Sequence, residues 1–357
     1  MTTTSTPAID EDRLNGLIGQ VVNDFGATIS SALVTMGDRL GLYQTLRNVG
    51  PVTAEGFASK TGLSGRYLRH WLLNQAASGY ISYEPSTGAY SLSPEQALVF
   101  ADDDSPAAMV GGFTLMTAVV RDEPRITEAM RRGQGLLWRE HDAGLFTGTA
   151  RFFKPGYVAN IERHWLPALE DIEPVLRTGG TVADIGCGYG ASTILMAQAY
   201  PASRFFGFDT HAESIESARQ AAADAGVDDR VTFEVAGGRD FPGSGYDLVT
   251  YFDCLHDMGD PGGAAKHALA ALAPGGSVML VEPMAGATVE ENLNPVGRLF
   301  AAASVLVCTP HAIAEGGEPL GTVATDAELR AVFESAGFRS FERVAESATN
   351  RVFQARR

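Results

Sequence analysis

The 357-residue sequence predicts an α/β fold in which helices cover both faces of a largely parallel sheet, preceded by a smaller helical domain. Three observations predict it. Strand-like and helix-like segments alternate over 179–357, a glycine-rich turn follows the first of these strands, and two short helices with a hairpin lie within the first 105 residues. Hydrophobic residues make up 45% of the chain, which is enough for a buried core.

The N-terminal region, 1–105, contains "PVTAEGFASKTGLSGRYLRHWLLNQAASGYISYEPSTGAYSLS", which predicts two helices and a hairpin. Thr53 is placed to cap the first helix, which ends at Gly62, and Ser64 to cap the second. Two helices followed by a hairpin are typical of a winged-helix domain. The preceding segment is helical, and its small residues at 26–32 would allow close packing against another chain.

The next region, 106–178, is mostly helical and rich in aromatic residues, and we interpret it as a connector and lid. Three of its aromatic side chains are candidates for a substrate pocket: Trp138, Phe153 and Tyr157.

The C-terminal region, 179–357, carries strand-like segments such as "TVADIGC", "RFFGFD" and "GSVMLVEP" between helix-like ones. This alternation predicts a parallel sheet. Capping boxes are predicted for Thr210 with Glu213 and for Thr325 with Glu328. The final segments, "FRSFERVAES" and "NRVFQARR", follow a helix at 326–336 and predict an antiparallel hairpin.

Charge and composition narrow the function classes. A net charge of −16 disfavours binding to a phosphate backbone. No signal peptide and no run of 18 apolar residues is visible, so we expect no membrane span. Three cysteines without CxxC spacing argue against disulfides and a cysteine zinc site, and they fit a reducing cytoplasm.

The stretch "VADIGCGYGAST" places Gly186, Gly188 and Gly190 between a buried strand and a helix. Such glycines allow a sharp turn and let a ligand approach the backbone. Nineteen residues after Gly190, Asp209 ends the next strand, where its carboxylate can accept bonds from ribose hydroxyls. The GxGxG spacing differs from the GxGxxG of NAD sites, and Asp184 precedes it, which suits a cationic nucleoside such as S-adenosylmethionine.

With these motifs, residues 179–357 resemble a class I S-adenosylmethionine-dependent methyltransferase domain, a Rossmann-like sheet of seven strands with a C-terminal antiparallel hairpin. The whole chain resembles the small-molecule methyltransferases of plant O-methyltransferase architecture, within a bacterial branch that carries "FDCLHDMGDP" and "EENLNPVGR". The resemblance implies S-adenosylmethionine as cofactor, a small molecule as methyl acceptor, and a homodimer formed through the N-terminal domain.

The resemblance also implies cofactor contacts at the strand ends. Asp184 and the glycine turn would face the methionine part, Asp209 the ribose, and the loop "AGGRDFP" the adenine. Gly237 stands where family members often have an acid, so adenine contact would pass to its neighbours. The cofactor-binding candidates are Asp184, Gly186, Cys187, Gly188, Gly190, Asp209, Thr210, Gly237, Gly238, Arg239 and Asp253.

The catalytic candidates are His256, Glu282 and Asp257. The resemblance implies that His256 is the general base, since histidine titrates near neutral pH and a hydroxyl must lose its proton to accept a methyl group. Glu282 would orient the imidazole. Asp257 is a third candidate, although it could instead cap the following helix.

The insertion after residue 284 is expected to cover the substrate, with Phe300, Ser304 and His311 as further substrate candidates. O-methylation without a metal is the leading prediction. One alternative is C-methylation of a 2-oxo acid assisted by iron or zinc, which His256 and His311 could hold together with a carboxylate, Asp257 being nearby in sequence. Alternatives of other classes are a DNA-binding regulator that reads through Arg66, Arg69 and His70, and a protein that binds the cofactor without turnover.

Overall fold

The computed structural model describes residues 9–357, and the chain divides into two compact units, Met1–Thr117 and Ala118–Arg357. The elements up to the boundary are α1 Glu11–Arg39, α2 Leu42–Val49, α3 Ala54–Thr61, α4 Gly65–Ala77, β1 Ser82–Glu84, β2 Ala89–Ser91, α5 Pro94–Phe100 and α6 Val110–Arg121, which crosses it. Those that follow are α7 Glu123–Arg132, α8 Gly144–Asn160, α9 Glu173–Thr178, β3 Thr181–Ile185, α10 Ala191–Ala199, β4 Arg204–Asp209, α11 Ala212–Asp224, β5 Val231–Val235, β6 Tyr246–Phe252, α12 Pro261–Ala271, β7 Leu272–Pro283, α13 Pro295–Ala303, α14 Thr309–Ala314, α15 Asp326–Ala336, β8 Ser340–Glu346 and β9 Asn350–Arg356.

The first unit contains the predicted pair of helices and hairpin. Thr53 caps α3 by accepting from the backbone N–H of Gly56 at 3.2 Å, and Gly62 ends the helix at φ +70°. Ser64 occupies the N-cap of α4, but its side chain makes no capping bond, so that part of the prediction is wrong. The buried aromatic rings of Phe57 and Trp71 stack at the centre of this unit.

The second unit is built on a seven-stranded sheet with the order β5-β4-β3-β6-β7-β9-β8. The first five strands are parallel, and β9 runs antiparallel to both of its neighbours. The α/β class and the terminal hairpin are therefore confirmed. The strand order reverses between β3 and β6, and ligands of doubly wound sheets bind at the carboxyl ends of strands at such a point.

Apolar layers cover both faces of this sheet. One layer contains Trp165, Met196 and Ile215, and the other contains Ala268 and Phe333, all of them buried. Because both faces are covered, the central strands carry continuous apolar runs rather than an alternating pattern. The layers leave only the strand ends and their loops for polar function.

The two predicted capping boxes have different outcomes. Thr325 and Glu328 form theirs at the start of α15, as predicted. At α11 the prediction is wrong, because the N-cap is His211, whose Nδ1 accepts from the backbone N–H of Ser214. Glu213 instead lies 3.1 Å from Nε2 of His211.

Two helical stretches, Glu11–Arg39 and Pro295–Ala314, are long and apolar enough by composition to cross a membrane. Buried helices of soluble proteins meet the same criterion, so the absence of a membrane span stays a prediction. The second stretch is not a regular helix throughout, because Ser304–Cys308 form a π-helical turn between α13 and α14.

Candidate functional site

A cavity of about 380 Å³ lies at the carboxyl ends of the central strands. Gly186 follows β3 at its wall, Asp209 ends β4, Gly237 follows β5 and Asp253 follows β6. The topology therefore gathers the loops of four parallel strands around one space, at the edge of the sheet where the strand order reverses.

The glycine turn has a left-handed backbone at each of its glycines, with φ of +69° at Gly186, +52° at Gly188 and +78° at Gly190. A Cβ at Gly190 would lie 2.6 Å from the ring of Phe233, and one at Gly186 would lie 2.7 Å from Sγ of Cys254. A Cβ at Gly188 would meet no heavy atom within 4 Å. Two glycines are thus required by packing, while Gly188 leaves bare backbone facing open space.

Asp209 holds the turn from the neighbouring strand. Its Oδ2 accepts from the backbone N–H of Gly188 at 2.9 Å, and its Oδ1 accepts from that of His211 at 2.8 Å. Burial raises the pKa of Asp209. Each carboxylate oxygen keeps a second lone pair, so Asp209 can still accept from two hydroxyl groups at the cavity wall.

Asp184 lies behind the turn, fully buried, and does not line the cavity. Its carboxylate accepts from the hydroxyls of Ser192 at 2.7 Å, Thr193 at 2.6 Å and Thr250 at 2.8 Å. Burial raises its pKa to about 6. In this structure Asp184 fixes the turn to α10 and β6, and its predicted contact with the cofactor stays a prediction.

The loop after β5 forms another part of the wall. Gly237 donates its N–H to Oδ1 of Asp240 at 3.1 Å. A Cβ at Gly238 would lie 3.1 Å from Sδ of Met258, so backbone and a thioether make a flat, partly apolar surface there. Arg239 also lines the cavity, although its side chain is mostly exposed.

Asp253 is one of two non-glycine residues with positive φ among residues 9–357, at +52°. Its Oδ2 accepts from the hydroxyl of Tyr157 at 2.9 Å, and its Oδ1 accepts from Nδ2 of Asn350 at 2.7 Å. Burial raises its pKa to about 8. Such a backbone conformation costs about 1–3 kcal/mol and is often found at functional sites.

His256 lies in a short turn, Leu255–Asp257, after β6. It is 3% exposed and does not line the cavity. Its Nδ1 is 2.5 Å from Oε2 of Glu282, its backbone N–H donates to Oε1 of Glu282, and the thiol of Cys308 lies within 4.8 Å of a ring nitrogen. Burial alone would lower the pKa of His256, but Glu282 and Cys308 outweigh it and raise the pKa well above its ordinary value.

Asp257 differs from its neighbour because it lines the cavity. Within the described part of the chain, its carboxylate has no hydrogen-bond partner. Burial raises its pKa to about 6, while the imidazoles of His256 and His311 oppose that rise. Asp257 does not cap the next helix, since Asp260 accepts from Gly263 there.

Aromatic side chains cover the cavity on the side of α8. Phe153 and Tyr157 stack at 5.9 Å, and Trp138 and Phe146 meet edge to face at the same ring separation. Nδ1 of His311 accepts from the backbone N–H of Trp138 at 3.1 Å, which leaves the proton on Nε2.

The structure brings most of the predicted site residues to one cavity and leaves six elsewhere. Those at its wall are Trp138, Phe153, Tyr157, Gly186, Cys187, Gly188, Asp209, Thr210, Gly237, Gly238, Arg239, Asp253, Asp257 and His311. Those not at its wall are Asp184, Gly190, His256, Glu282, Phe300 and Ser304, all of them buried or packed behind it.

Sequence reasoning did not select Phe146, Met258 and Glu315, which line the cavity, or Cys308, which lies beside His256 and Asp257. Glu315 had a usable signal, because it lies one helical turn after His311. Cys308 had no such signal, because the residues beside it, His256 and Asp257, are distant from it in the sequence.

The wall fits a cationic nucleoside. Carboxyl groups outnumber guanidinium groups among its side chains, the backbone at Gly188 is bare, and Asp209 has free acceptor capacity. S-Adenosylmethionine combines two ribose hydroxyls with a sulfonium and an ammonium group, and these match the donor and acceptor groups present.

Two family models match the chain. Residues 176–337 match a methyltransferase domain, and residues 28–101 match an Rv2258c-like winged helix-turn-helix domain. The chain is also 31% identical over 186 residues to 27-O-demethylrifamycin SV methyltransferase from Amycolatopsis mediterranei (strain S699). That match covers 50% of this chain and 68% of the relative.

Solved structures share the fold over nearly the whole length. Human N-acetylserotonin methyltransferase in complex with S-adenosylmethionine is 18% identical, with a TM-score of 0.71, and the match covers 100% of this chain and 99% of that one. Mitomycin 7-O-methyltransferase is 18% identical, with a TM-score of 0.70, and the match covers 97% of this chain and 100% of that one. With the glycine turn and the cavity, these matches show that the chain belongs to the class I S-adenosylmethionine-dependent methyltransferases with an N-terminal winged-helix domain, and that its cofactor is S-adenosylmethionine.

Proposed function

We propose that this enzyme transfers a methyl group to an oxygen atom of a small, largely flat molecule. The observation that carries the proposal is one continuous cavity. It joins the glycine turn and Asp209 to an aromatic wall and to the unpartnered carboxylate of Asp257. Cofactor and acceptor can therefore lie side by side, as an in-line displacement requires.

Each end of the cavity has a separate task in this proposal. S-Adenosylmethionine, when bound, supplies an electrophilic methyl group on a sulfonium ion. Asp209 and the Gly188 backbone would hold the nucleoside, and Tyr157 keeps Asp253 oriented at the wall. The ring of Trp138, at the cavity wall, would contact the acceptor and exclude water from it.

The acceptor hydroxyl needs a group in the cavity that can take its proton. His256 as general base stays a prediction, and its buried ring, which does not line the cavity, would have to become accessible to reach an acceptor. Asp257 needs no such change, because its carboxylate already lies at the wall. We therefore infer that Asp257 contacts the acceptor hydroxyl, while Glu282 and His256 form a charged pair behind it.

The test combines binding with turnover. S-Adenosylhomocysteine should raise the melting temperature, and labelled methyl transfer to a panel of phenols and alcohols should identify an acceptor. The rate should rise with pH through about 6, as Asp257 ionises, and Asp257→Asn should lower it about 10²- to 10⁴-fold and remove that limb. Glu315→Gln, at the same end of the cavity, is the control and should keep the limb. An unchanged rate in Asp257→Asn would refute the proposed contact.

A DNA-binding role is the alternative of another class. Arg66, Arg69 and His70 are exposed on α4, but Arg69 pairs with Glu55 at 3.2 Å and the chain carries a net charge of −16. Retention on DNA that falls steeply with salt would support this alternative. Thermal stabilisation by S-adenosylhomocysteine without any turnover would support the other alternative, a cofactor-binding protein.

The homodimer remains part of the proposal, with α1 as the contact. Phe25 and Ile29 are more than 60% exposed on this helix, and Gly19 and Gly26 have no heavy atom within 4 Å of an added Cβ. Ser30, in contrast, contacts its own α4 through Asn74. Light scattering should give a dimer mass that Phe25→Glu with Ile29→Glu reduces to a monomer, and a wild-type monomer would refute it. A cytoplasmic location is proposed with it, on the free cysteines alone.

A further inference from the structure

The candidate for a further site is a cluster at the back wall of the acceptor end. One ligand atom each from His256, Asp257 and Cys308 lie within 4.8 Å of one another. His256 and Cys308 are buried, and Asp257 lines the cavity. The sequence gives no hint of this grouping, because Cys308 lies 52 positions beyond His256 and lacks the spacing of a cysteine metal motif.

The orientation of His256 suits a metal ligand. Glu282 binds Nδ1 at 2.5 Å, which leaves Nε2 as the nitrogen available to Cys308. A histidine that binds a metal almost always engages a carboxylate or carbonyl through its other ring nitrogen, and this fixes the tautomer and makes the ligand more basic. The pair of His256 and Glu282 already has this arrangement.

The backbone that delivers Cys308 is irregular. Cys308 ends the π-helical turn Ser304–Cys308. Such turns are rare in proteins as a whole, but many of those that occur lie at functional sites. The turn brings the buried thiol within 4.8 Å of a ring nitrogen of His256. A regular α-helix through these residues would rotate the side chain away from that contact.

We propose that His256, Asp257 and Cys308 bind a divalent transition-metal ion, with Zn²⁺ as the best match. Imidazole nitrogen, thiolate sulfur and carboxylate oxygen are the three ligand types that zinc takes, and three protein ligands are typical of sites that keep a position for water or substrate. Because Asp257 lines the cavity, that position is next to the acceptor.

The three ligand atoms would need to move only slightly closer together to bind one ion. Ligand atoms around a tetrahedral zinc ion lie about 3.3–3.8 Å apart, so the cluster would contract by about 1 Å from its present limit of 4.8 Å. Because His256 is charged in its pair with Glu282, binding would release two protons, one from the Cys308 thiol and one from Nε2 of His256, and both atoms would then bind the ion. Asp257 would gain the partner that it lacks.

The inference rests on the proposed function and deepens it in one respect. Asp257 would bind the ion through one carboxylate oxygen and keep the other for the acceptor hydroxyl, whose pKa the neighbouring ion would lower. It also differs from the sequence-based alternative, because the cluster contains Cys308 rather than His311.

The experiment titrates metal-free protein with Co²⁺ and then with Zn²⁺. Thiolate bound to Co²⁺ gives a charge-transfer absorption in the near ultraviolet, so the spectrum reports Cys308 directly. We expect one Co²⁺ per chain with this band, and its loss when Zn²⁺ displaces the cobalt. Cys308→Ser should abolish the band, while Cys187→Ser, at the other fully buried thiol, should retain it.

Two further variants keep the test decisive if Cys308→Ser folds poorly. Glu282→Gln should retain the band and weaken metal affinity about 10- to 100-fold, since it only supports the ligand. Asp257→Asn should weaken affinity and change the visible spectrum. A wild-type protein without the band, or a band that persists in Cys308→Ser, would overturn the proposal. Methyl transfer by the metal-free protein, with its pH limb lost in Asp257→Asn, would show that only the metal site, and not the proposed function, had failed.

Discussion

The glycine turn allows a test that separates a residue needed for folding from one needed for the ligand. Gly188 and Gly190 both have left-handed backbones, so alanine costs about 1–2 kcal/mol at either position. At Gly190 the added Cβ would also lie 2.6 Å from the buried ring of Phe233, which adds about 1–3 kcal/mol. Gly188→Ala should therefore unfold about 1–2 kcal/mol more easily than wild type, and Gly190→Ala about 2–5 kcal/mol.

The affinity for S-adenosylhomocysteine is the second quantity, and here the informative variant is Gly188→Ala. The methyl group of Gly188→Ala would occupy cavity space, so the dissociation constant of S-adenosylhomocysteine should rise about 5- to 150-fold, the equivalent of about 1–3 kcal/mol of overpacking. Gly226→Ala is the matched control, because Gly226 has φ +66° and open space around its Cβ but does not line the cavity. Denaturant unfolding and calorimetry measure the two quantities. If Gly188→Ala bound S-adenosylhomocysteine as tightly as Gly226→Ala, the turn would not be the binding surface.

Two further predictions concern the carboxylates of Asp209 and Asp184 beside the glycine turn. Asp209→Ala should weaken S-adenosylhomocysteine binding by about 3–6 kcal/mol, since two hydroxyl bonds to a charged acceptor are worth about 1.5–3 kcal/mol each. Calorimetry checks this, and Glu213→Ala, exposed nearby, should bind as wild type does. The pKa of Asp184 rises from 3.8 to about 6 on folding, so its ionisation costs about 3 kcal/mol of unfolding free energy, and stability falls as pH rises from 4 to 6. Asp184→Asn should flatten that dependence in denaturant unfolding, and an equal slope in the variant would contradict it.

The order of the elements could be predicted because local signals and periodicity agree with the fold. The capping box at Thr325 is an example, since its partner Glu328 has no competing contact. At Thr210 the same pattern failed, because the end of β4 delivers His211 to the cap position. A four-residue capping pattern carries no information about the direction from which the preceding strand enters the helix.

The site was predictable where residues follow strand ends and unpredictable where tertiary packing decides. Gly186 and Asp209 have positions that the strand pattern fixes, and both line the cavity. Phe300 and Ser304 lie on an insertion whose helical faces the sequence left undetermined, and the fold buries both away from the cavity. Packing also decides that Asp257, and not His256, lines the cavity. A single turn after β6 determines which of these two adjacent side chains is exposed to it.

The bond between Asn350 and Asp253 has a consequence for how the molecule matures during synthesis. The glycine turn, Asp209 and the loop after β6 are all synthesised before the strand that carries Asn350, which lies 97 positions after Asp253. Until that strand inserts between β7 and β8, Asp253 lacks its amide partner and the edge of the sheet beside β7 stays unpaired. The last strand of the sheet therefore completes both the edge beside β7 and the hydrogen bonds of Asp253 at the cavity wall.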